Sequence, residues 1–133
     1  MLRISRPVVD DVIACAKKGA PLETCGYLAA KKDGVAVRFY PMKNADQSAE
    51  HFSFDPAEQF SVARTARSYG LKIAAVVHSH PATPARMSEE DIRLARDPDM
   101  SYVILSLAGP QPVLKSFRTK DGIVSNEELE IVQ

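Results

Sequence analysis

Residues 72–91, KIAAVVHSHPATPARMSEED, pass from an unbroken apolar run through two histidines and two prolines into an acidic cluster. The first nine residues have the character of a buried central strand, apolar on both faces. Pro81 and Pro84 end it and punctuate a loop. A helix then opens at Ser88, which suits an N-cap, with Glu89, Glu90 and Asp91 in a first turn that favours negative charge. A buried strand followed by a loop and a helix is one crossover unit of an α/β sheet.

Downstream, SYVILSLAG at 101–109 reads as a second buried strand, and 112–122 and the tail 123–133 each read as an edge strand. Upstream, LRI is a short strand, and Val8, Val9, Val12, Ile13 and Ala16 recur at helical spacing between Pro7 and Lys18, with Gly19 as the stop. Residues 24–44 read as a hairpin turning at Asp33-Gly34. Residues 51–54 read as a short extended piece before a second helix. Asp55 is its N-cap, Pro56 its first residue, Glu58 the partner in a capping box, and Gly70 its end. Through residue 122 the order is β-α-β-β-α-β-α-β-β, and the tail adds a last strand: a mixed β-sheet flanked by helices, in one domain spanning 1–133.

The composition narrows the function. Seventeen Lys plus Arg balance seventeen Asp plus Glu, so no basic excess points to nucleic acid. The longest apolar run, IAAVV, is far too short to cross a bilayer, and the first residues have no signal-peptide core, so a cytoplasmic location is expected. Two cysteines without a CxxC do not form a disulfide framework or a zinc finger. Cys15 falls within a helical pattern as a small apolar residue, and packing is the favoured role for Cys25.

His78 and His80 are two apart on a strand, so both imidazoles leave the same face, at the strand's carboxyl end where α/β sheets place ligands. Asp91, third in its helix, can point back toward them. Two imidazole nitrogens and one carboxylate oxygen make three ligands, and a fourth position left to water marks a catalytic rather than a structural zinc site. Each piece also has a plain structural reading. A histidine at a strand end is ordinary, and Ser88-x-x-Asp91 is by itself a capping pattern.

The joint spacing decides between them. His78-x-His80-Pro81, six residues, then Ser88-x-x-Asp91 resembles the motif of the JAMM (MPN+) metalloproteases, and PLETCGYLAA at 21–30 offers Glu23 where that family carries an upstream glutamate. Met87 stands where family members often have proline, a loop-shaping position rather than a ligand. The resemblance runs from Glu23 through residues 101–106 and implies a JAMM/MPN architecture, laid out like that of cytidine deaminases. It implies one zinc ion per chain on His78, His80 and Asp91, Glu23 as general base, and Ser88 as hydrogen-bond donor to the oxyanion.

The chain is similar in size to small stand-alone bacterial and archaeal members. These are implied to hydrolyse the amide bond after the Gly-Gly tail of a ubiquitin-like sulfur-carrier protein, releasing cysteine or trimming terminal residues. HPATPARMSEED is closest to the cysteine-releasing group. Two alternatives come from related proteins: a non-catalytic MPN scaffold, which would have lost ligands, and a RadC-like protein associated with DNA repair, which would carry an extra helical region. A zinc deaminase needs His-x-Glu and Pro-Cys-x-x-Cys, and neither is present.

Overall fold

A computed structural model describes all residues, Met1–Gln133. It contains one eight-stranded sheet and three helices. In chain order they are β1 (Leu2–Ser5), α1 (Arg6–Gly19), β2 (Cys25–Ala30), β3 (Val35–Met42), α2 (Pro56–Ser68), β4 (Lys72–His80), α3 (Glu89–Leu94), β5 (Ser101–Ser106), β6 (Val113–Lys120), β7 (Ile123–Glu127) and β8 (Leu129–Val132). The strand order is β7-β6-β5-β4-β2-β3-β1-β8. The β4/β5, β1/β3 and β1/β8 pairs are parallel and the others antiparallel, as expected where hairpins alternate with helical crossovers.

The tail departs from the sequence expectation. It forms two strands rather than one, and they occupy opposite ends of the sheet although only Glu128 separates them. One residue bridges about 3.5 Å, whereas the seven interstrand steps of a flat sheet would span roughly 33 Å. The sheet is therefore rolled until its two edges meet at that corner, where the Leu2 amide donates to the Glu128 carbonyl at 2.9 Å.

The roll encloses α1. Val8, Val9, Val12 and Ala16, one face of that helix by their spacing, pack against Ile4, Leu28, Val77 and Leu105 of the strands in a single core cluster. Strand alternation then dictates which β4 residues face away from α1. Val77 joins the core, and Val76, His78 and His80 point to the opposite face, under α2 and α3.

Local signals account for the turns. Gly34, at φ 87°, closes the β2/β3 hairpin with its amide on the Lys31 carbonyl. Gly70, at φ 73°, ends α2 in a Schellman motif, its amide on Arg67 O and that of Leu71 on Ala66 O. Asp55 caps α2 through the Ala57 amide, but Glu58 does not complete a capping box. Its carboxylate accepts instead from the Lys43 amide at 3.0 Å, because the loop leaving β3 passes over the helix start. Residues 51–54 are not a strand; the loop is held by side chains, described below.

Candidate metal centre

The antiparallel ladder between β2 and β4 assembles the site. Cys25 lies opposite His78, and extending the same register by two residues sets Glu23 opposite His80. Ser79 secures this extension. Its amide donates to the Thr24 carbonyl at 2.9 Å, and its hydroxyl accepts the Thr24 amide at 2.8 Å and is 3.0 Å from the Thr24 hydroxyl. Glu23 is thus carried to the same sheet face as the histidines, 57 positions upstream of His80.

His78 Nε2, His80 Nε2 and Asp91 Oδ2 form a triangle with sides of 3.1, 3.2 and 3.3 Å. Ligand atoms about 2 Å from one tetrahedral ion are separated by roughly 3.3 Å, so these atoms already stand at the spacing of a zinc face. The loop and the cap both contribute. His80 Nδ1 donates to the Pro84 carbonyl at 2.9 Å, leaving the Nε2 lone pair for a metal. Asp91 Oδ2 also accepts the Ser88 amide at 3.0 Å, and Ser88 Oγ accepts the Asp91 amide at 3.0 Å. The capping reading is true of these residues and is compatible with the ligand reading: the capping box aims the carboxylate at the two imidazoles.

The charges follow from this packing. Burial lowers the His78 pKa and keeps the ring neutral, with Phe52 stacked on it at 4.5 Å. For His80 burial also opposes charge, but the Asp91 carboxylate and the Pro84 carbonyl outweigh it and the pKa rises. Burial pushes the Asp91 pKa up, yet the two imidazoles and the Ser88 amide beside it hold it well below the usual carboxylate range. Glu23 is 5% exposed, and burial raises its pKa to about 7, with His80 pulling it down and Asp91 pushing it up. Its Oε1 has no hydrogen-bond partner. An unpartnered buried carboxylate oxygen beside two imidazoles and a carboxylate is a donor set suited to a metal ion and a water held next to it. These residues fit zinc.

Other sequence candidates stand apart from the triangle. Cys25 is buried beside His78, but its thiol points to the Met42 carbonyl at 3.6 Å, and burial pushes its pKa up to about 12, so it packs as a neutral thiol. His51 is half-buried and bonded to Asp46 at 2.9 Å. Asp97 and Asp99 form a turn, with the Asp99 amide on the Asp97 carboxylate.

Three supporting residues escaped the sequence reading. Ser79 occupied the unspecified place between the histidines. Asn44 pins the loop after β3, its amide donating to the carbonyls of Glu23 (3.1 Å) and His51 (3.0 Å) while its oxygen accepts from Asp46 and Ser53. Phe52 rides on that loop onto His78. A lone asparagine or phenylalanine in a polar loop carries no periodic signal that would single it out.

A family model described as prokaryotic homologs of the JAB domain matches residues 5–120. The chain belongs to that family. A relative, the CysO-cysteine peptidase of Mycobacterium tuberculosis, is 34% identical across all of this chain and 92% of its own length. The solution structure of a Desulfitobacterium hafniense protein superposes with a TM-score of 0.92 at 44% identity, covering 100% of this chain and 94% of that one. A JAB1/MPN domain protein from Archaeoglobus fulgidus shares the fold, with a TM-score of 0.69 at 24% identity over 98% and 97% of the two chains. The mixed sheet with flanking helices is therefore the JAB/MPN fold, as the His-x-His and Ser-x-x-Asp spacing implied. No helix is long and apolar enough to cross a membrane.

Proposed function

We propose that this chain is a zinc metallopeptidase that cleaves the amide bond following the C-terminal Gly-Gly of a ubiquitin-like sulfur-carrier protein, releasing cysteine or trimming terminal residues. The observation carrying this reading is the His78–His80–Asp91 triangle with the buried, unpartnered Glu23 carboxylate beside it. The relative named as a CysO-cysteine peptidase supports the carrier class. A complete donor set speaks against a non-catalytic scaffold, and the balanced charge offers nothing to DNA.

His78, His80 and Asp91 would hold one zinc ion. When bound, zinc would bring the pKa of a coordinated water toward about 7 and polarise the amide carbonyl. Glu23, whose raised pKa suits both states, would accept a proton from the attacking water and return it to the leaving amine. Ser88 Oγ already accepts from the Asp91 amide, which leaves its O–H free to donate to the carbonyl oxygen as charge develops there. Ser79, Thr24 and Asn44 hold Glu23 in place. The hydroxyl half of water ends on the glycine carboxylate and the proton on the released amine. We place the enzyme in the cytoplasm, where Cys15 and Cys25 stay reduced.

The test is hydrolysis of a carrier protein ending in Gly-Gly-Cys by the zinc-loaded chain, followed by mass spectrometry with and without a chelator. A chelator-sensitive loss of the terminal residue is expected. An intact carrier in both arms would remove this substrate class.

A further inference from the structure

A cavity of about 280 Å³ opens beside the metal centre, with His78 and Asp91 in its wall and a mainly apolar lining. Its floor is one cross-strand row. Val76 on β4 pairs with Tyr27 on β2 and with Tyr102 on β5, and all three point to the same sheet face as His78. The row lies two residues along β4 from His78, about 7 Å. Phe52 and Phe54 close one side, and Met87 and Leu94 the other.

The two tyrosine oxygens of this pocket each already accept one hydrogen bond. Tyr27 Oη accepts from Gln59 at 2.9 Å, and Tyr102 Oη accepts the Asp97 amide at 3.1 Å. Their O–H groups and the Asp91 carboxylate remain available, and most of the rest of the lining is ring face and aliphatic surface. Such a pocket rewards apolar atoms, and with the Asp91 carboxylate in its wall it offers no counter-charge to a second carboxylate.

This inference rests on the reading above, in which the two residues before the cleaved bond are glycines. Glycine has no side chain to fill a pocket, so of the two residues flanking the reacting bond only the released one can fill it. We propose that this pocket receives the side chain of the residue released from the Gly-Gly tail, and that it selects a leucine, methionine or phenylalanine there over cysteine, glycine or aspartate. A cysteine side chain would leave most of the 280 Å³ unfilled and forfeit the contacts of the ring walls. Met87, unbranched and polarizable, gives one wall that adapts to different apolar shapes.

The experiment has two arms. In the first, the zinc-loaded chain cleaves carriers ending in Gly-Gly-X, with X as methionine, leucine, cysteine, glycine or aspartate, and kcat/KM is compared. Methionine and leucine are expected to exceed glycine by at least about tenfold, and Val76→Phe, which fills the floor, is expected to compress that ratio toward one. Equal rates for all X overturn the proposal. In the second arm, methionine amide and glycine amide are titrated into the protein by NMR. Shifts at Tyr27, Val76 and Tyr102 with methionine amide alone are expected; no shift there overturns the proposal. If no carrier is cleaved but methionine amide still occupies the pocket, the Gly-Gly substrate reading falls while apolar side-chain selection stands.

Discussion

Ser79 Oγ accepts the backbone amide of Thr24 at 2.8 Å, and through that bond the strand bearing both histidines holds the segment bearing Glu23. Ser79 is 1% exposed, so water cannot replace it. Removing the hydroxyl leaves the Thr24 amide without a partner in a partly buried site, which costs about 1–3 kcal/mol. Ser79→Ala is therefore expected to lower the midpoint of denaturant unfolding. It should also reduce kcat at least about tenfold by loosening the general base. Zinc content is expected to stay unchanged, because no ligand is touched; zinc loss in this variant would mean that Ser79 supports the histidines rather than Glu23.

In the proposed site Asp91 would serve the metal and the helix cap with one oxygen, and two substitutions separate these roles. Asp91→Ala should lose most of the zinc and about 1 kcal/mol of stability with the cap. Asp91→Asn retains an oxygen for the Ser88 amide, so it should keep the helix while holding zinc poorly. His80→Ala should lose the metal without touching the cap. Zinc per chain by elemental analysis and unfolding curves read the two effects separately. Near-stoichiometric zinc in both His80→Ala and Asp91→Ala would refute the ligand set.

Glu23 ties stability to pH in the metal-free protein. Its pKa rises from 4.5 to about 7 on folding, so between those values the unfolded chain has released a proton that the folded chain retains. Stability from this group is complete below about pH 4.5 and declines as pH rises to 7. Glu23→Gln removes the titration. Relative to wild type, the metal-free variant should gain on the order of 2 kcal/mol between pH 4 and pH 8. A stability difference independent of pH would contradict burial as the cause. The same variant should bind zinc normally and fail to hydrolyse substrate.

Gly26 lies in β2 between the site and the core, where an added Cβ would press into the Tyr40 carbonyl oxygen and the Phe39 ring. Gly26→Ala is expected to destabilise the protein by about 1–3 kcal/mol, as overpacking does. Thermal unfolding measures it, and an unchanged midpoint would show that β3 can move away at no cost.

The proposed ligand set was legible in the sequence because each part of it is local. Alternation along one strand puts His78 and His80 on one face, and a capping box sets Asp91 at the third position of its helix; neither requires knowledge of the rest of the chain. Only the tertiary structure decided the rest. Glu23 meets His80 because β2 and β4 pair in one particular register, and the apolar pocket exists because Tyr27, Val76 and Tyr102 from three strands share a row. Residues 123–133 show the limit most plainly. Their pattern reads as one edge strand, yet they divide at Glu128 between both edges of the sheet, because the strands roll around α1 to bury its apolar face. Closure of that kind depends on every strand together, and no short window of sequence contains it.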